Sequence, residues 1–380
     1  MTPDAFASLY THYHRRVVAA CFTYGRRRPR AAHARDPGAV PHLPGVRGDQ
    51  EAALWGVPDL HGGDMIHLVK LSGGAASAVT ADLVRMETGA APECLFTDTL
   101  IEDNDLYRFL LEWCGYLYGV DVSDLVPLAL TLPQVWEDEP GRKAALAHLR
   151  MRASARLPQL HWLADGRHPF EVFFEEGRMG GGARQAGPCS RILKRALSDD
   201  YVAARWSPEA VRLYVGLAHS EGHRFHGGRG RGGIRRLFLP WLVYSPLVDR
   251  PDLDRPALRT WIRGVGIATP RLYAQGFPTN NCGGACVKAG HAWWIHLLNT
   301  NRPYFLWWAA LEDAFRRATG KDVSILRDRR GGRTRPLTLY RLLQLVEAQT
   351  DLTELLIASD TGCGGSCMLP ATWGRRRKAA

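Results

Sequence analysis

The chain has 380 residues, carries 49 Lys and Arg against 38 Asp and Glu, and has a formal net charge of +11. That length suits two to three domains of roughly 150 residues each, with ample material for a core. Apolar residues make up 46% and charged residues 23%, and no run approaches the ~18 apolar residues of a membrane span, which argues against an integral membrane protein and a disordered chain.

The first 64 residues differ from the rest. Phe6, Leu9, Tyr10, Tyr13, Val17 and Val18 recur at helical spacing and predict one amphipathic helix over 4–22. The short apolar run Val17–Phe22 precedes Arg26, Arg27 and Arg28, the reverse of a signal peptide's charge order, so a secreted protein is not expected and a cytoplasmic one is. From Tyr24 to Asp64 the chain is Arg, Pro, Ala, Gly and His without sustained periodicity, which reads as loop or disorder. Residues 1–64 are thus expected to be a poorly ordered extension, and Met65 is an alternative start.

Regular pattern begins at Met65. Ile66–Leu71 reads as a buried strand, Ser72-Gly73-Gly74 breaks it, and Ala75–Met86 has helical composition. Glu93–Phe96 reads as a second strand. Asp105–Tyr118 reads as a second helix, with Leu106, Phe109, Leu110 and Trp113 on one face. Residues 134–160, charged and rich in Ala and Arg, predict a helical insertion. Val211–Gly216 reads as a later strand, and 225–233 as a glycine-rich flexible loop. Strands alternating with helices indicate an α/β fold with a parallel sheet flanked by helices, here over 65–255. A mainly helical, Cys-containing region is expected over 256–380.

The segment Ser72-Gly73-Gly74-Ala75-Ala76-Ser77 sits between a strand and a helix, where phosphate chemistry is common. Glycines let the backbone approach a phosphate closely, the N–H groups and the positive helix end supply donors, and Ser72 and Ser77 add hydroxyls. It is neither a Walker A loop nor a dinucleotide turn. Its form resembles the Ser-Gly-Gly-x-x-Ser PP-loop of ATP pyrophosphatases and sulfonucleotide reductases.

Other segments extend that likeness. Leu95-Phe96-Thr97-Asp98-Thr99 resembles the Asp-Thr element of the phosphoadenosine phosphosulfate (PAPS) reductase-like family, in wording typical of its bacteriophage and bacterial members. Cys189 through Lys194 resembles that family's Cys-x-x-x-Lys segment. Val215–Arg224 resembles its strand and Gly-x-Arg loop, and Pro246-Leu247 its Pro-Leu before a helix. Leu272–Phe277 followed by Cys282 resembles its Leu-Tyr-x-x-Gly-Phe run. These matches keep family order across 65–290. The resemblance implies a Rossmann-like adenine nucleotide alpha hydrolase fold. Ser72, Gly73, Gly74 and Ser77 would bind phosphate, and Asp98 and Thr99 would lie near the nucleotide or its Mg²⁺. Lys194, His223 and Arg224 would neutralise phosphate or sulfate oxygens. Ala75 and Ala76 replace the Lys and Asp frequent in ATP pyrophosphatase loops, and Ala218 replaces the family Arg.

Eight cysteines without an export signal point to metal or redox work. Cys21, Cys94 and Cys114 sit in apolar context and read as core. Asn281-Cys282-Gly283-Gly284-Ala285-Cys286 and Gly362-Cys363-Gly364-Gly365-Ser366-Cys367 are near copies. Two such knuckles can bring four thiolates around a Zn²⁺ or a [4Fe–4S] cluster, and Cys189 is a fifth candidate. The tail has Thr361-Gly362-Cys363-Gly364-Gly365 where the reductase family has its nucleophilic Glu-Cys-Gly-(Leu/Ile)-His element, so the resemblance does not extend to that cysteine's setting.

Only six basic residues are Lys, and the arginines cluster. One group is Arg224, Arg229, Arg231, Arg235 and Arg236; a second is Arg327, Arg329, Arg330, Arg333 and Arg335; Arg375–Lys378 form a basic tail. An arginine bias this strong is in part compositional. The excess is local, which points to phosphate over a diffuse polyanion, while the arginine-rich loop and tail also suggest nucleic acid. Three expectations follow: an enzyme of the PAPS reductase family acting on PAPS with a thioredoxin-like reductant, a PP-loop ATP pyrophosphatase adenylating an acceptor, or a non-catalytic nucleotide- or nucleic-acid-binding protein. The first is preferred, with an adenine nucleotide as ligand and the transferred group open.

Overall fold

The computed structural model describes residues 65–180, 187–228 and 231–358. The helix expected over 4–22, the second cysteine knuckle (Cys363, Cys367) and the basic tail lie outside them.

Five strands form one sheet: β1 (Ile66–Leu71), β2 (Glu93–Asp98), β3 (Leu160–Ala164), β4 (Val211–Val215) and β5 (Leu242–Tyr244). Their order is β3-β2-β1-β4-β5 and every pairing is parallel. A parallel sheet is covered on both faces, so its strands are apolar on both sides rather than alternating. The residues sort accordingly. Val69, Cys94, Phe96 and Tyr214 point into one core, while Leu68, Leu95, Val211 and Leu213 point into the other.

The first core is roofed by α1 (Ala75–Thr88), α2 (Asn104–Tyr118), α3 (Glu139–Arg156) and α6 (Arg255–Gly264), through Val79, Leu110, Leu149 and Ile262 among others. Between α3 and α6 in the chain come α4 (Pro169–Glu176) and α5 (Leu197–Ala203), the latter continuing a π-helical stretch, Ser190–Ala196. The ends of α2 have local causes. Asp103 caps the first turn by accepting from Asp105 N, and Gly119 closes the last in a left-handed conformation.

Two elements differ from the sequence reading. The region 134–160 does contain a helix, α3, but it ends at Arg156, and Leu160 already begins edge strand β3, which pairs Cys94 with Leu160. A second edge strand, β5, is only three residues long, too short to show a period.

Past α6 the described residues, to 358, are mainly helical: α7 (His291–Thr300), α8 (Arg302–Thr319) and α9 (Leu339–Glu347). Trp294, Phe305 and Trp308 pack among themselves, and Trp308 meets Phe170 of α4 at 4.8 Å between ring centroids. One antiparallel hairpin, Leu326–Asp328 with Arg335–Leu337, interrupts the helices. Among the described residues no helix is long and apolar enough to cross a membrane.

Candidate functional site

The strand order reverses between β1 and β4, and in open parallel sheets ligands bind at such a point, beyond the carboxyl ends of the strands. The segment Ser72–Ser77 leaves β1 there and enters α1. Two glycines are imposed by close approach. Gly73 has φ +74°, and a Cβ on it would meet the Leu106 side chain at 2.7 Å. Gly216 follows β4, and a Cβ there would lie 2.4 Å from the backbone of Ser77.

The loop is held by its own hydroxyls and by distant residues. Buried Ser77 donates through Oγ to Gly74 O (3.0 Å), accepts from Ser72 N (3.0 Å) and lies 3.1 Å from the hydroxyl of exposed Ser72. Ala75 N, at the start of α1, donates to the Tyr273 hydroxyl (3.1 Å), and Asn280 Nδ2 donates to Gly73 O (2.8 Å). The segment 272–282, far away in the chain, therefore folds onto the loop. Asn280 is buried, and its amide oxygen has no hydrogen-bond partner.

Asp98, ending β2, is fully enclosed. Its carboxylate accepts from Leu100 N (2.7 Å), Tyr107 Oη (2.8 Å) and Trp162 Nε1 (3.1 Å), so its acceptor sites are occupied by the protein. Burial outweighs these donors and raises its pKa. Thr99, also buried, donates to Glu102 Oε1 (2.9 Å).

Glu102 is the residue that sequence reading passed over. Buried, it accepts from Thr99, from Lys194 Nζ (3.4 Å) and from the backbone N of Cys282. Burial works against the charge on Lys194, yet Glu102, with Cys282 and Cys189 nearby, holds the ammonium's pKa above its ordinary value. The loop around Glu102 is shaped by buried Arg142 of α3, which donates to Leu100 O (2.9 Å), Glu102 O (2.5 Å), Asn104 Oδ1 (2.7 Å) and Pro133 O (2.7 Å). No local pattern marks Arg142 within a helix already rich in arginine.

Cys189 precedes the π-helical stretch carrying Lys194, while Cys282 and Cys286 flank a tight turn. None of the three is disulfide-bonded. Three successive residues, Cys282, Gly283 and Gly284, have φ of 52°, 58° and 87°. A left-handed cysteine costs roughly 1 kcal/mol or more and marks a backbone constrained by its surroundings. Burial pushes the Cys189 thiol up to about 11, with Cys286 adding to the effect. Burial and then Glu102 push Cys282 well above the usual thiol range. The three thiols and Lys194 thus share one electrostatic neighbourhood. Cys94 and Cys114, read as core, are fully buried.

His223 and Arg224 stand apart. Both are exposed in the turn after β4, and Arg224 pairs with Glu221. Among the described residues none of their hydrogen bonds or ion pairs reaches the loop or Lys194.

Glu139, His168 and Glu171 place their ligand atoms within 4.8 Å of one another, as an ion would require. The chemistry opposes one. Lys143 Nζ bonds both Glu139 (3.0 Å) and Glu171 (2.6 Å), supplying the positive charge. His168 Nδ1 accepts from Phe170 N (3.2 Å), and its Nε2 faces Glu139 at 3.3 Å. This is the ion-paired cap of α4.

Comparison of the chain with protein-family models and with curated proteins finds no match.

Proposed function

We propose that the protein is a PP-loop enzyme of the adenine nucleotide alpha hydrolase type, binding PAPS or ATP in the crevice beyond β1 and β4. One observation carries the reading. The Ser72–Ser77 loop lies at the reversal of strand order, and a chain of contacts (Gly73 to Asn280, Cys282 to Glu102, Glu102 to Lys194) joins it to the cysteine neighbourhood. A nucleotide's phosphates take the loop backbone and the Ser72 hydroxyl. Lys194 faces charge that develops on the transferred group or leaving phosphate. Asp98, with its oxygens engaged, orders the end of β2, and an Mg²⁺ bound with the phosphates would offset their charge.

The reaction class is sulfonucleotide reduction or a related group transfer within the PAPS reductase family. Cys189, Cys282 and Cys286 would hold a metal centre. Four thiolates suit either Zn²⁺ or a [4Fe–4S] cluster, and a cluster here would supply electrons or polarise a bound sulfur species. Thiolates held by a cluster are not available as nucleophiles. The second reading is an ATP pyrophosphatase adenylating an acceptor for sulfur transfer, which needs no free thiolate.

The deciding experiment is anaerobic purification, analysis of nucleotide and metal content, and turnover with PAPS and with ATP. Sulfite release from PAPS supports reduction, and AMP with pyrophosphate supports adenylation. A protein that binds neither nucleotide refutes both.

A further inference from the structure

The hairpin Leu326–Leu337 carries a charge pattern that the nucleotide site does not use. Its base is rigid. Leu326 and Leu337 face each other across the ladder and are buried. Ser324 Oγ donates to Leu326 O (2.5 Å) and accepts from Leu337 N (2.9 Å). Buried Glu312 of α8 accepts from Ile325 N and Leu339 N, both at 2.6 Å, clamping the two ends of the hairpin to one carboxylate.

Its tip is different. From Arg327 to Arg335 there are five arginines and one acid, Asp328, which is bound by Arg330 at 2.8 Å. Arg329, Arg333, Thr334 and Arg335 are exposed. Arginine-rich composition alone does not explain this. Elsewhere some arginines sit beside acids, as Arg152 and Arg156 do with Asp124, Arg250 with Asp252, and Arg302 with Glu347. Exposed ones without an ion pair, such as Arg195, Arg205 and Arg255, stand apart in the chain, whereas here five arginines fall within nine residues of one hairpin. Among the described residues no ion pair joins Arg327, Arg333 or Arg335.

We infer that this hairpin is a docking surface for a nucleic-acid phosphodiester backbone. Guanidinium forks match phosphate oxygens bidentately, and a two-stranded ribbon fits a nucleic-acid groove. Gly331 and Gly332, both left-handed, turn the chain without a side chain between the arginines of its two arms. A membrane is the poorer partner, because residues 328–335 hold no apolar side chain that could enter a lipid interface. The hairpin lies near the start of α7, where buried His291 feels the charges of Asp328, Arg329 and Arg330.

The test uses the full chain, a fluorescein-labelled 20-mer DNA duplex, a labelled single-stranded RNA of the same length, and phosphatidylserine vesicles. Anisotropy titrations between 50 and 200 mM salt compare wild type with Arg329→Ala/Arg333→Ala/Arg335→Ala. The expected result is binding of one or both nucleic acids, weakened at least about tenfold in the variant. The slope of log affinity against log salt should become shallower by about one per arginine lost. Matching melting curves for the two proteins show that the fold is retained. The inference is overturned by absent binding at 50 mM salt, by unchanged affinity and slope in the variant, or by arginine-dependent binding to vesicles without binding to either nucleic acid.

Discussion

Glu102 Oε1 lies 3.4 Å from Lys194 Nζ, 92 residues later in the chain, and the same carboxylate accepts the backbone N–H of Cys282. One buried acid therefore sets the positions of a π-helical stretch and a cysteine knuckle. Replacing Glu102 with Ala leaves that N–H without its acceptor and a largely enclosed ammonium without its counter-charge. We expect a loss of about 2 kcal/mol in urea unfolding, discounted because Lys194 retains some solvent access. An unchanged midpoint would show that the pair contributes nothing.

Gly216 admits no side chain. A Cβ set 2.4 Å from the backbone of Ser77 must push β4 and the start of α1 apart. Gly216→Ala should retain its far-UV circular dichroism yet lose about 1–3 kcal/mol of stability, and bind ATP or PAPS at least tenfold more weakly by calorimetry. Wild-type affinity in this variant would detach the nucleotide from the β1–β4 crevice.

Ser77 shapes the loop from inside. Its hydroxyl joins Gly74 O to Ser72 N, so Ser77→Ala leaves a partly buried N–H and C=O less well satisfied. The expected cost is about 1 kcal/mol with a clear loss of nucleotide affinity. Ser72→Ala, at an exposed hydroxyl, should weaken binding with little change in stability. Equal nucleotide affinity in wild type and both variants would count against the loop.

Metal loading should depend on Cys189, which precedes the other knuckle by more than 90 residues. Anaerobically purified wild type is expected to show brown, broad visible absorption that a chelator with mild oxidant bleaches. Cys189→Ser, Cys282→Ser and Cys286→Ser should each lose most of it. A colourless wild type that binds zinc in stoichiometric amount would replace the cluster, and one with neither metal would remove the site.

Glu312 gives a pH prediction. Burial pushes its carboxyl up to about 7, against an ordinary 4.5, although Ile325 N and Leu339 N favour the charged form. Between those values the folded protein keeps a proton that the unfolded chain has lost. This group's stabilisation is full below 4.5 and disappears as pH rises through 7, in total about 3 kcal/mol. Glu312→Gln should flatten that part of the profile. Unfolding midpoints at pH 5 and pH 8 should differ less in the variant than in wild type.

The parallel-sheet half of the fold was legible because its signals are local. Ile66–Leu71 is a continuous apolar run, Ser72–Gly74 interrupts it, and α1 follows with its own composition. β3 escaped notice because it starts four residues after the long helix α3, and its sequence Leu-His-Trp-Leu-Ala reads as helix continued. Asp98 was visible as a residue but not as an enclosed one, since Tyr107 and Trp162 reach it through tertiary packing. Glu102 stands in a run with Asp98, Asp103 and Asp105, and only contacts from Lys194 and Cys282 set it apart. Conversely, His223 and Arg224 matched a motif in order while the fold left them facing solvent.

The grip on the Ser72–Ser77 loop comes from late in the chain. Tyr273 reaches Ala75 across 198 residues and Asn280 reaches Gly73 across 207. Such non-local closures form slowly, because the intervening chain must be ordered before either contact can hold. β1, β2 and α1 can assemble as the chain emerges, but the loop between them acquires its final shape only when residues 272–280 have docked. Competence to bind nucleotide should thus lag behind sheet formation during refolding, and a protein truncated before Tyr273 should keep strand signal while lacking an ordered loop.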